Sequence, residues 1–252
     1  MRARIAPLIA LALLLAATAP ASSAPAATHT IFLPALESGR AAVLPGVPFD
    51  PFAERSGDST AYNYTGGNCS LDPLPENVLH LAINAADYHG SLLCGAYLRV
   101  TGSRGSFTAI VVDQCPECPS GDLDFDLDSL FVLEGVRDGR HSVSWRLISP
   151  PLAGPVAYRF QGSNPYYLKV QVRNHRNPIF RVEMRNPDGS YTAIPRVSDN
   201  FFERDGLPNL RSVSLRITDI FGNQLEDSNI PIVNDVDFPG RAQLPPGPLP
   251  ER

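Results

Sequence analysis

Short runs of branched and aromatic residues recur along most of the chain, broken by Gly, Pro, Asn and Asp, the pattern of many strands joined by turns. The first block has such runs at Val78–Ile83, Ala96–Thr101, Phe107–Val112 and Ser142–Ile148. One helix is expected from Leu127 to Glu134, with Asp126 capping its start and Gly135 ending it. A second block has runs at Val156–Phe160, Leu168–Val172, Phe180–Met184, Tyr191–Ile194 and Val213–Ile217. There Leu168, Val170 and Val172 should face one way and Lys169, Gln171 and Arg173 the other. Turn-like connectors such as Asn186-Pro-Asp-Gly189 and Phe221-Gly-Asn223 complete the pattern of a small sandwich.

The ends read differently. Arg2 and Arg4 precede an apolar run from Ile5 to about Ala17 and a small-residue stretch, so residues 1–23 are expected to be a secretory signal peptide. The run is shorter than the roughly 20 residues a membrane-spanning helix needs. Residues 24–54 form an Ala/Pro-rich lead-in, surface-hugging or flexible, and 242–252 a Pro-rich tail, neither expected to carry fold information. Between them, residues 55–149 and 155–241 are expected to be separate modules, joined by a short stiff linker at 150–154.

Charge sharpens that division. The chain of 252 residues carries a formal −5, which gives no reason to expect nucleic acid as a partner. Glu54–Ser149 holds 13 acidic and 6 basic residues, whereas Pro155–Arg241 holds 10 and 11. The first module carries the excess of acid.

It also carries all four cysteines: Cys69, Cys94, Cys115 and Cys118. In an exported chain an even count favours disulfides over the zinc or redox readings that Cys115-Pro-Glu-Cys118 permits. Three connectivities are open; Cys69–Cys94 with Cys115–Cys118 is the working pairing. The densest chemistry follows a strand that ends near Asp113, where Asp122, Asp124 and Asp126 alternate into the helix. Carboxylates held close raise one another's pKa, and one protonated member can then act as an acid. Asp126 is expected to cap the helix, and Asp122 and Asp128 to be solvated. Asp113 and Asp124 are the best-placed pair, yet both come from one stretch of chain. Side by side on one wall of a groove, they would bind and strain a sugar without efficiently cutting it.

The order and spacing of several motifs across roughly 54–240 resemble the expansin family, in its microbial form. The motifs are Gly57-Asp-Ser-Thr60-Ala-Tyr62, Cys94-Gly-Ala-Tyr-Leu-Arg-Val-Thr-Gly102, Val112-Asp-Gln-Cys-Pro-Glu-Cys118, Gly121-Asp-Leu-Asp124-Phe-Asp126 and Tyr166-Tyr-Leu-Lys-Val-Gln-Val-Arg-Asn-His175. The resemblance implies an all-β chain: a six-stranded double-psi β-barrel like that of family-45 endoglucanases, followed by an immunoglobulin-like sandwich that binds carbohydrate. It implies a barrel groove lined by Thr60 and Tyr62, with Asp113 at the strand end and Asp124 as the essential acid. Cys115 stands where many microbial relatives place an aromatic residue over the sugar. On the sandwich, Tyr166 and Tyr167 match paired stacking aromatics. The third stacking position falls on Asp199, leaving Phe201 as the substitute. An exposed face common to both tyrosines needs an irregular backbone, which Pro165 can help provide. Arg173–His175 are expected to serve structure or the junction between modules before ligand binding.

The resulting expectation is a secreted, monomeric protein without cofactor or metal. It would bind cell-wall polysaccharide, cellulose or a related glucan, and loosen it without hydrolysis. The alternatives are a weak endoglucanase or lytic enzyme with a second carboxylate such as Asp58 or Asp122, and a non-catalytic recognition or inhibitor protein.

Overall fold

The computed structural model describes residues 43–251, so the leader expected over 1–23 and most of the lead-in lie outside the described residues. Six strands close the first barrel in the order β1-β5-β2-β4-β3-β6. They are β1 (Arg55–Tyr62), β2 (Leu79–Asn84), β3 (Tyr97–Gly102), β4 (Gly105–Cys115), β5 (Leu123–Asp126) and β6 (His141–Ile148). The pairs β1/β5 and β2/β4 are parallel, and the remaining neighbours are antiparallel. Two short helices interrupt the order, α1 (Ala85–Tyr88) and α2 (Leu127–Glu134). As the sequence predicts, Asp126 accepts the Asp128 and Ser129 amides at the start of α2, and Gly135 ends it in the left-handed region.

Period-two alternation fills the barrel. Leu81, Ile83, Leu123 and Phe125 are fully buried inside it, so Ala82 and Asp124 point out of it. Trp145 closes one end, its indole Nε1 donating to the Gly121 carbonyl at 2.8 Å. There β1 and the 119–122 turn touch backbone to backbone: a Cβ on Gly57 would lie 2.4 Å from the Gly121 carbonyl.

The second module packs two four-stranded sheets face to face, β10-β9-β12-β13 and β11-β8-β7-β14. Its strands are β7 (Ala157–Phe160), β8 (Leu168–Arg173), β9 (Ile179–Arg185), β10 (Tyr191–Ile194), β11 (Phe202–Arg204), β12 (Ser212–Asp219), β13 (Gln224–Pro231) and β14 (Asp237–Pro239). Leu168, Val170 and Val172 enter its core as expected. The opposite face of β8 is not solvated. Gln171 and Arg173 are buried against the barrel, where Gln171 Nε2 donates to the Cys69 carbonyl at 2.9 Å. The Arg173 guanidinium donates to the carbonyls of Leu71, Asp72 and Pro73. His175 is buried beside Gly95, and burial lowers its pKa to about 4, so it serves the junction as a neutral ring. Arg173–His175 therefore occupy the structural, inter-module place expected of them.

The ends correct the sequence reading. In the lead-in, the Phe49 ring stacks on His89 at 4.9 Å, and the Leu44 amide donates to Ile220 of the sandwich at 2.9 Å. The tail is also part of the fold: Leu244 is buried in the sandwich core and Leu249 in the barrel core. Tail carbonyls of Pro245 and Pro250 accept from Asn177 and from the Ser149 amide. A proline-rich strap satisfies few of its own hydrogen bonds, so it docks where side chains and loop amides meet its carbonyls. Leu249→Ala should therefore destabilise the protein by about 2 kcal/mol, the low end for a buried leucine. A thermal melt that places the variant with wild type would show that the tail does not bear on stability.

Candidate functional site

The candidate site is a row of side chains across four neighbouring strands. On β5, Asp124 lies opposite Thr60 of β1 on one side and Ala82 of β2 on the other. Ala82 in turn lies opposite Asp113 of β4. Regular pairing would not place Asp113 there. The β2/β4 register slips between Leu81 and Ala82, passing over Val112 and bringing Asp113 level with Asp124. A bulge re-aims a side chain in this way. The two acids are thus separated by two strand spacings, a Cα distance of roughly 9.5 Å, with only the methyl of Ala82 between them.

Each acid is held by different partners. Asp124 accepts a 2.5 Å hydrogen bond from the Thr60 hydroxyl. Asp113 accepts the Asn68 and Gln114 amides at 2.6 and 2.8 Å through one oxygen. Gly67 makes this possible, because any Cβ there would run into the Val112 carbonyl at 2.2 Å. Tyr62 Oη is shielded from water with no hydrogen-bond partner among the described residues. Burial, and after it the Asp113 carboxylate, push its pKa well above the usual phenol range. Its ring meets Tyr64 edge-on at 6.2 Å.

Burial raises the pKa of Asp124; the Thr60 hydrogen bond opposes the shift, and Glu117 adds to it. Glu117 sits on the loop closed by the Cys115–Cys118 disulfide, whose sulfurs lie within 4.8 Å of the Asp124 carboxylate. Both cysteine pairs form the expected bonds, Cys69–Cys94 and Cys115–Cys118. With their thiols consumed, Cys115 and Cys118 offer no thiolate to a metal.

Asp122 was expected in solvent and is buried instead. It accepts from Arg140 at 2.6 Å and from the Asp58 amide at 2.9 Å, while Arg140 also holds the Asp58 carboxylate at 3.1 Å. Asp58 and Asp122, the carboxylates that the hydrolase alternative required, are therefore both paired with Arg140. Nothing in the sequence around Arg140 signalled this role.

The row is linked to the sandwich through Asn68, whose side chain donates to Tyr88 Oη and to the Ser198 carbonyl at 2.8 and 3.0 Å. Next to Ser198, Asp199 accepts from Lys169 at 2.7 Å, and Lys169 also reaches Glu203 at 3.2 Å. Tyr166 and Tyr167 lie in a turn rather than a strand: Asn164 Oδ1 accepts both their amides. Tyr166 is 60% exposed and Tyr167 partly so. Phe201 does not join them. It is fully buried beneath Lys169, whose ammonium stands 4.6 Å above the ring, so it offers no stacking face to a sugar. This corrects the expectation for Phe201: a pair of adjacent phenylalanines after a turn does not reveal which face is covered, and here both rings are buried.

A scan against protein-family profiles matches none. Expansin-YoaJ of Bacillus subtilis (strain 168) is 33% identical over 185 residues, covering 71% of this chain and 79% of that protein. The chain belongs to the expansin family. Expansin-like protein 2 of Dictyostelium discoideum is 26% identical over 189 residues, 70% of this chain and 46% of the relative. Two solved Clavibacter michiganensis expansin structures, one apo and one a mutant in complex with cellohexaose, each superpose with a TM-score of 0.71. They are 24% and 23% identical, cover 76% of this chain, and share the fold of this expansin-family member.

The raised pKa of Asp124 makes a prediction for stability. The folded protein keeps this proton to higher pH than the unfolded chain does. It therefore binds more protons between the two pKa values, and its stability falls as pH rises through that interval. Asp124→Asn removes the burden of a half-buried charge. The variant should melt on the order of 1–3 °C above wild type at neutral pH, with the gap closing below the unfolded carboxylate pKa. A lower melting temperature at every pH would contradict this.

Proposed function

We propose that this expansin-family protein is exported, binds a flat cell-wall glucan such as cellulose, and loosens the contacts between its chains without hydrolysis. The observation that carries the proposal is the placing of acids around Asp124. Efficient glycoside hydrolysis needs a second carboxylate across the scissile bond. Asp113 shares the wall of Asp124 and spends one oxygen on the Asn68 and Gln114 amides. Asp58 and Asp122 share the single guanidinium of Arg140. What remains is an acid that can donate to a sugar oxygen and a tyrosine turn that can cover the apolar face of a sugar ring. Competition with neighbouring glucan chains for those contacts is then the means of loosening.

Cellohexaose bound to the Clavibacter mutant supports a β-linked glucan as ligand, and no described helix is long and apolar enough to cross a membrane. One observation favours a second reading. Glu117 stands close enough to Asp124 to raise its pKa, and it lies on the disulfide-closed loop that follows β4 rather than in the row itself. With Glu117 as base, the same site would act as a weak endoglucanase.

Pull-down on insoluble cellulose, scored with sugar release, separates the two. Tyr166→Ala/Tyr167→Ala should lose binding by about tenfold or more, as removal of two stacking rings implies. Asp124→Asn should keep binding and lose network weakening. New reducing ends that vanish in Glu117→Gln would replace the loosening account with the enzyme.

A further inference from the structure

Between the acidic row and the tyrosine turn lies a charged strip. Asp113 accepts the Asn68 amide, and the Asn68 side chain donates to the Ser198 carbonyl. Asp199 follows Ser198 and accepts from the Lys169 ammonium at 2.7 Å. Lys169 lies opposite Glu203 across β8 and β11 and reaches its carboxylate at 3.2 Å. Burial, and after it the Glu203 carboxylate, raise the Tyr167 pKa, so Glu203 stands beside that phenol as well. Neighbouring groups thus run without a break from Asp113 to Tyr167.

The strip holds two carboxylates and one ammonium, and all three are open to solvent. The Asp199, Glu203 and Lys169 side chains keep 34%, 30% and 19% of their surface exposed. The aromatic ring that belongs to it, Phe201, is closed off beneath the Lys169 ammonium. The tyrosine turn at its far end is held in place: the Leu207 amide donates to the Tyr166 carbonyl at 3.0 Å, and the Leu210 amide to that of Pro165 at 2.8 Å. The rings and the charges therefore keep their spacing.

We infer that Lys169, Asp199 and Glu203 set the specificity of the glucan site, selecting single hydrated glucan chains over the packed face of a crystal. This deepens the glucan-binding reading above and rests on it. A ligand that touches both the tyrosines and the acidic row has to cross the strip. The packed face of crystalline cellulose offers ring C–H groups, while its hydroxyls are bonded sideways to neighbouring chains. Laid over the strip, that face strips water from three charges and returns no hydrogen bonds, which is costly. A single chain freed from its sheet keeps its hydroxyl edges open. It can lie flat on the tyrosines and turn an edge to the carboxylates, which accept from its hydroxyls in charge-assisted hydrogen bonds. The protein would then work where chains have already separated, and hold them apart.

Adsorption isotherms on crystalline and on acid-swollen cellulose, read as affinity, test the assignment together with calorimetry on a soluble cello-oligosaccharide. Lys169→Met/Asp199→Asn/Glu203→Gln keeps the shape of the strip and removes its charge. It should bind crystalline cellulose about tenfold more tightly than wild type, as sparing one group its desolvation implies. Its affinity for swollen cellulose and for the oligosaccharide should fall about threefold or more, with amides in place of carboxylate acceptors. Asp199→Asn alone leaves Lys169 its Glu203 partner and should move each affinity the same way by a smaller factor, so the test does not hang on the folding of the triple variant. An unchanged ratio of crystalline to soluble affinity in these variants would overturn the inference; glucan binding itself would stand if Tyr166→Ala/Tyr167→Ala still loses it. Binding that survives the loss of both tyrosines would remove the underlying reading, and the inference with it.

Discussion

The arrangement of this protein rests on one loop, residues 67–73, and on the buried guanidinium that reads its carbonyls. Arg173 is taken out of water at the junction, which lowers its pKa through desolvation. Burying a charge is tolerated only when its donors are met. Here the carbonyls of Leu71, Asp72 and Pro73 meet them, and Gln171 and Asn200 both use the carbonyl of Cys69. The loop has few alternatives, because the buried Cys69–Cys94 disulfide fixes its start against the barrel. Its other end of business is the Asn68 amide, which holds Asp113. The same short segment thus sets the place of the sandwich and the orientation of one site acid.

Given that anchor, the acidic row follows from strand geometry. A barrel with parallel pairs places β1, β5, β2 and β4 side by side, and one bulge brings Asp113 level with Asp124. Acids ordered along a sheet share a wall, and a sugar laid across them is gripped from one side. Asp58 and Asp122 share the one guanidinium of Arg140, so part of the barrel's excess charge is less available than the composition implies. Local pairing, rather than the net count, decides which acid is left to act. Among the acids near the row, Asp124 accepts only the neutral Thr60 hydroxyl, and burial raises its pKa.

Much of this was legible in the sequence because it depends on short-range patterns. Runs of apolar residues located four of the six barrel strands and five of the sandwich strands to within three residues. The capping pair Asp126 and Gly135 located α2. Strands β1 and β5 were not visible as strands, since β1 is made mostly of small and polar residues, β5 is only four residues long, and their extended form comes from barrel pairing. Arg140 as the partner of Asp58 and Asp122, and Lys169 as the cover over Phe201, depend on contacts far apart in the chain. Composition made the tail look dispensable. Its two leucines are buried because the modules together leave grooves for them, which no local pattern reports. The motif resemblance carried the rest, by naming Thr60 and Tyr62 in a segment with almost no periodicity.

The central claim is that the row around Asp124 grips a glucan without cutting it. The most direct measurement is the chain-length distribution of a cellulose sheet that has extended under constant load in the presence of the protein. The account predicts creep with the distribution unchanged, because only contacts between chains are exchanged. A shift to shorter chains that grows with the extension would contradict it.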